Sequence, residues 1–473
     1  MDDPRLCATT FHRLDRRIGS WFRPHWTLRD EIPTFCRPSR LSITTRRAFM
    51  RDDLRKIIVS PEINCPEPFR GFGGFCGWPR ICRLHNGDLY VAFGAGYWHA
   101  SFVNPRPDLP PAYAQYMEEH MEGGATWDAP TGGHIMWTRS CDDGATWTAP
   151  RDLALISHAY ALGAITQHSD GTLYAAALIQ SGHFWAANLP TDPVEFLRCM
   201  DANFPEQVAV LRSDDLGESW QEVSRTSGPF LSRLEHPCSI TEGVDGSLLM
   251  LIDGHAAPVA RPQWINALLQ STDRGVSWQT RSIFGDENRD VEEGHIVRLP
   301  DGRLGTASRP WGLWMTSDDE GLTWSEPRSL LEFEVPDGKA NPNAFKKGDA
   351  LVLGNGTVVL LTCGGPGGNG QVLYSRDSGE TWKTAATDRG FQADRFAYYP
   401  SACALPDNSI FMVGDHQGFA NRHGPFGAEV LATRFRILDE AEGEGIEILP
   451  IEGDLHPVWG TQLHAGDRTD ETL

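Results

Sequence analysis

Histidine is the side chain whose charge changes nearest neutral pH, and His99, His183, His255 and His416 recur at related places in the chain. His99 lies twelve residues after Gly87, and His183 lies twelve after Gly171. His158, His236 and His295 occupy a second set of related places, each ahead of an apolar run. Three kinds of chemistry are open to such a set. Any one histidine taken singly is expected to be an ordinary polar loop residue. Two or three of them together can form a sugar-binding rim, helped by Trp78, Tyr97, Trp98 and Trp185, whose ring faces suit sugar stacking. A metal centre is the third use, and the weakest, because no short ligand spacing occurs. No cofactor is implied.

The elements that must position these residues show as a repeat. Ser-x-Asp-x-Gly-x-x-Trp begins at Ser140, Ser213, Ser271, Ser317 and Ser375 and ends at Trp147, Trp220, Trp278, Trp324 and Trp382. Five copies in register mark a repeat architecture. In each, Asp and Ser can tie down backbone N–H groups, Gly permits positive φ, and Trp packs the turn. Ahead of the boxes, six hairpin phrases join apolar strands, at Asn86-Gly87, Asp170-Gly171, Asp245-Gly246, Asp301-Gly302, Asn355-Gly356 and Asp407-Asn408. Six hairpins and five boxes predict an all-β, six-bladed propeller whose last unit, roughly 397–438, lacks a box and takes its outer strand from the segment after Met50. The histidine positions then converge on the mouth of the central channel. The box aspartates are structural in this reading and none is catalytic.

Composition agrees: 48 Gly, 32 Pro and 16 Trp in 473 residues suit short strands and tight turns. A net charge of −21 excludes general affinity for nucleic acid or anionic membranes. Ten scattered cysteines without a CxxC pair signal neither a zinc knuckle nor a redox site. No apolar leader or membrane-spanning run is visible, so a cytoplasmic location is expected, with a carbohydrate partner and no membrane. Residues 1–49 carry ten Arg and no Lys and read as a basic, disordered arm; residues 50–460 read as the propeller and 461–473 as a disordered tail. Two insertions, 101–132 and 184–206, are expected to carry short helices and flank the mouth.

Boxes, blade count and hairpin phrases together resemble the sialidase (neuraminidase) superfamily from about Phe75 to Phe435. The resemblance implies a Tyr nucleophile seven residues before the Pro of a Leu-Pro-Asp turn, a position held by Tyr399, beside Tyr398. It implies a Glu that takes the Tyr proton, ahead of Val297-Arg298-Leu299-Pro300, which is Glu293, and an arginine closing the next strand, which is Arg309. Asp128 stands one position from the family's acid/base Asp.

Two of the family's three carboxylate-binding arginines have no counterpart. Gly77 replaces the first, and Gly364–Gly370 contains no Arg for the third, although Arg80 lies near enough in sequence to substitute. Each lost charged hydrogen bond is worth about 1.5–3 kcal/mol, so ordinary sialic acid is not the expected substrate. The resemblance thus implies a divergent exo-acting glycoside hydrolase with Tyr399, Glu293 and Asp128 catalytic. Arg309, Arg80, Trp78, Tyr398 and His99, His158, His183, His236, His255 and His416 would bind substrate. A polysaccharide lyase acting on uronates, with Tyr or His as base, and a non-catalytic glycan-binding propeller are the alternatives.

Overall fold

Each hairpin phrase opens a separate antiparallel sheet, and six such sheets form the ring. A computed structural model of the chain describes residues 55–59, 75–96, 134–154, 159–179, 207–230, 234–255, 264–286, 290–309, 312–330, 346–363, 372–385, 398–416, 429–442 and 445–452. The two insertions expected to be helical, the arm 1–49 and the tail 461–473 lie outside these residues.

In chain order β1 (Arg55–Val59) comes first but belongs to the last blade. Blade 1 is β2 (Phe75–Arg83), β3 (Leu89–Gly96), β4 (His134–Ser140) and β5 (Arg151–Ala154). Blade 2 is β6 (Ala159–Gln167), β7 (Leu173–Ile179), β8 (Gln207–Ser213) and β9 (Gln221–Thr226). Blade 3 is β10 (Leu234–Glu242), β11 (Leu248–His255), β12 (Trp264–Ser271) and β13 (Gln279–Phe284). Blade 4 is β14 (Glu292–Arg298), β15 (Leu304–Arg309), β16 (Leu313–Ser317) and β17 (Arg328–Ser329). Blade 5 is β18 (Lys346–Val352), β19 (Val358–Cys363), β20 (Val372–Ser375) and β21 (Lys383–Thr384). Blade 6 is β22 (Tyr398–Ala404), β23 (Ile410–His416) and β24 (Glu429–Leu438), edged by both β1 and β25 (Gly445–Leu449).

The six hairpins and the boxless last blade are as the repeat predicted. β24 is long enough to take β1 along one half (Arg55 opposite Thr433) and β25 along the other (Arg434 opposite Leu449). The second and third strands of a blade are apolar on both faces because each blade is sandwiched between neighbours. The core is accordingly divided into layers between blades, such as Phe411, Val91 and Phe93 between blades 6 and 1. Outer strands like β9 and β13 are largely exposed.

The boxes close the third-to-fourth strand turns. Ser213 Oγ donates to Asp215 and accepts from the Gly217 N–H at 2.9 Å, while Asp215 also takes the N–H and hydroxyl of Ser219. Leu216 and Gly217 are both left-handed, with φ of 59° and 84°. A Cβ on Gly217 would meet the Tyr90 ring of blade 1 at 2.4 Å, so this glycine serves close approach as well as backbone freedom. The turn carbonyls are capped from the preceding blade: Ser224 donates to Gly275 O, Ser282 to Gly321 O and Arg328 to Gly379 O. At the ring closure that donor is Lys56 of β1, bonded to Ala145 O.

Candidate active site

Chain direction sorts the two ends of the ring. First strands begin and second strands finish at the end opposite the hairpins and boxes, so the candidate residues gather there. Each first strand also carries a bulge near its start. Register shifts occur between Gly77 and Arg80, between Glu292 and His295, and between Tyr398 and Ser401. In these three bulges the residue at positive φ is not glycine: Trp78 (50°), Glu293 (48°) and Tyr399 (59°). Such conformations cost a β-strand residue of the order of 1–3 kcal/mol and persist only where the surroundings enforce them. Pro79 and Pro400, which follow two of them, restrict the preceding backbone further.

The enforcement comes partly from carboxylates of the neighbouring blade. Asp253, at the end of β11, accepts the Glu293 N–H at 2.6 Å. Asp415, at the end of β23, accepts the Trp78 N–H at 2.7 Å.

Glu293 is 2 % exposed, and its carboxylate takes a hydrogen bond from Arg309 Nη1 at 2.6 Å. Arg309 pairs with Glu292 in the ladder, and its Nε lies 3.6 Å from the Glu292 carboxylate. Burial works against the Arg309 charge, but the charges of Glu293 and Glu292 outweigh it, with a lesser contribution from Tyr399, and push the guanidinium's pKa above its ordinary value. Tyr399 therefore sits within electrostatic range of the pair, while its ring packs against the core layer that contains Trp78.

Deeper in the channel lies a second polar group. His295 Nε2 approaches Asp349 Oδ1 at 3.0 Å, and Arg80 Nη1 donates to the Pro400 carbonyl at 3.5 Å. Burial alone would raise the Asp349 carboxyl; the charge and hydrogen bond of His295, then the charge of Arg80, bring it down to about 2. Asp349 Oδ2 also accepts the Ala402 N–H of blade 6 at 2.7 Å.

A profile of BNR repeat-like domains matches residues 116–309. A solved protein of unknown function from Dyadobacter fermentans superimposes over 84 % of this chain and 98 % of its own, with TM-score 0.54 and 16 % identity. A point mutant of the NanB sialidase from Streptococcus pneumoniae does so over 81 % of this chain and 70 % of its own, with TM-score 0.51 and 15 % identity. The chain is a sialidase-type propeller. No curated protein matches it in sequence.

On this propeller the sequence-predicted residues fare differently. Glu293 and Arg309 meet directly, with Tyr399 nearby. Trp78 was expected to stack on sugar, but it is only 7 % exposed and belongs to a core layer with Ile240 and Met250. Its indole is packed into that layer rather than left open for stacking. Arg80, the expected substitute anchor, is 4 % exposed and faces Asp349 inside the ring. Tyr398, His236, His255 and His416 lie on strands at the site end, opposite Asp415, Asp253, Trp264 and Glu429 respectively. Asp128, His99, His158 and His183 lie outside the described residues. Sequence reasoning missed Asp253, Asp349 and Asp415. For two of them a signal existed: Asp253-Gly254-His255 and Gly414-Asp415-His416 end equivalent strands.

Proposed function

We propose that this propeller is a retaining glycoside hydrolase acting on a neutral glycan or glycoside. Tyr399 attacks the anomeric carbon as the bond to the leaving oxygen breaks; Glu293 takes the phenolic proton, and Asp128 protonates the leaving oxygen. Water, deprotonated by Asp128, then displaces the tyrosyl oxygen, which recovers its proton from Glu293. Arg309 orients Glu293 and anchors the substrate. The observation that carries this reading is the Glu293–Arg309 contact at 2.6 Å, with Tyr399 in electrostatic range, at the open end of a sialidase-type ring.

Charge supports the neutral substrate. Among the described residues in and beneath the mouth, five carboxylates (Asp253, Glu292, Glu293, Asp349, Asp415) face two guanidiniums (Arg80, Arg309). Arg309 is already paired with Glu293, and Arg80 is buried, bonded to the Pro400 carbonyl and within the field of Asp349. Such a field repels a sugar carboxylate and favours the positive charge that develops on a glycosyl carbon.

A panel of chromogenic neutral glycosides, sialosides and acidic polysaccharides tests the proposal. Cleavage of a neutral glycoside with retained anomeric configuration is the expected result. Turnover of a sialoside at rates typical of enzymes would overturn the substrate class. Release of unsaturated uronates would replace hydrolysis with elimination.

A further inference from the structure

The seams between blades 3 and 4 and between blades 6 and 1 lie on opposite sides of the ring and are built alike. In one, the Ile296 N–H donates to Ser239 Oγ at 2.9 Å; in the other, the Ile81 N–H donates to Ser401 Oγ at 3.2 Å. Toward the mouth, Asp253 takes the Glu293 N–H and Asp415 takes the Trp78 N–H. One device, a buried carboxylate reaching across a seam to a left-handed non-glycine residue, thus serves a core indole on one side and Glu293 on the other.

We propose that Asp253 is a positioning residue for Glu293: by holding the Glu293 N–H in the left-handed bulge, it aims the Glu293 carboxylate at Arg309 and Tyr399. The proposal rests on the reading of Glu293 as the base that serves Tyr399. Asp253 is fully buried, and its second oxygen accepts from Cys238 Sγ at 3.4 Å, so the carboxylate is fixed from both sides. An extended Glu293 would turn its Cα–Cβ bond toward the opposite face of the strand, because successive strand side chains alternate. The hydrogen bond from Asp253 and the positive φ are therefore one requirement. A carboxylate acceptor suits it better than a neutral one, since charge-assisted bonds to backbone N–H are the stronger kind.

The experiment compares Asp253→Ala with Ser239→Ala, which loses a bond of the same seam without touching Glu293. Crystal structures of both and kinetics on the best glycoside of the panel are the readouts. In Asp253→Ala, Glu293 should leave the left-handed region and the Arg309 contact should break, with kcat falling by about 100-fold or more and KM by much less. Ser239→Ala should lower the melting temperature yet keep the contact and kcat within about twofold. Should Asp253→Ala fail to fold, Asp253→Glu, which keeps the charge but displaces the oxygens, should show the same broken contact and lost kcat. An intact Glu293–Arg309 contact in the Asp253 variant that folds, or equal kcat losses in the Asp253 and Ser239 variants, would overturn the proposal. If the wild type cleaves no glycoside, the proposed reaction fails, and the crystal structures alone decide the positioning role.

Discussion

The two ends of the ring are built on opposite plans. At the hairpin end five blades repeat one turn, whose bonds begin and finish within eight residues: Ser317 to Asp319 at 2.8 Å, the Gly321 N–H to Ser317 at 2.8 Å, and Thr323 to Asp319 at 2.6 Å. At the open end the equivalent bulge residues are Trp78, Glu293 and Tyr399, and the first two have their N–H groups held by carboxylates of other blades. The lesson is a division of labour. Turns whose Ser and Asp bonds stay within the turn, with a carbonyl capped from the preceding blade, can be copied from blade to blade and fix the architecture. Positions whose backbone is held from next door are free to carry different side chains, and the proposed chemistry is placed there.

The sharpest way to break this comparison is Tyr399→Phe. It removes one oxygen at the open end, and turnover on a cleaved glycoside should fall by about 1,000-fold or more. The melting temperature should hardly move. Unchanged activity would take Tyr399 out of the chemistry.

Next is Gly217→Ala at the other end. The new Cβ would lie 2.4 Å from the Tyr90 ring at a φ of 84°, so urea titration should show a loss of roughly 2–4 kcal/mol. Turnover per folded molecule should match the wild type. A kcat drop here would join the two ends functionally.

Arg309→Met should have a smaller but double effect. It leaves the buried Glu293 without its 2.6 Å partner, lowering stability by about 2 kcal/mol after allowance for the partial exposure of Arg309. It should also reduce kcat by about 100-fold. A loss of stability with full kcat would make the pair purely architectural.

The smallest effect concerns pH. The hydroxyl and N–H of Thr323 hold the Asp319 carboxyl down at about 2, against about 3.9 for an unfolded aspartate. A depressed carboxyl stabilises the fold above its unfolded pKa and loses that contribution as pH falls toward its folded value, here from about 4 to about 2. Asp319→Asn should flatten that acid limb in a plot of melting temperature against pH. The turn is exposed, so solvent screening keeps the change below about 1 kcal/mol.

The same division decided what the sequence could reveal. Boxes and hairpins are local, so their residue types and spacing spelled out six blades and the boxless sixth. Glu293, Arg309 and Tyr399 were singled out through resemblance, because no spacing links a residue on β14 to one on β22. Trp78 misled because residue type and spacing do not show burial, and its ring is packed into a core layer. Asp253 and Asp415 left one trace, the matching strand ends Asp253-Gly254-His255 and Gly414-Asp415-His416, but their partners could not be read because the N–H groups they accept lie 40 and 337 residues away. His295 stands ahead of its apolar run, within β14, but its partner Asp349 belongs to the next blade.

The double edge of blade 6 bears on how the protein is made. β1 leaves the ribosome first, yet Arg55 pairs with Thr433 and Lys56 with Ala432, so its partner strand is synthesised more than three hundred residues later. Until β24 is made, Ile57, Ile58 and Val59 lack the sheet that buries them, and the loop to be closed runs from Arg55 to Thr433. Blades 1 to 5 can assemble as they emerge. The ring itself locks late, when β24 arrives to receive the beginning of the chain on one half and β25 on the other.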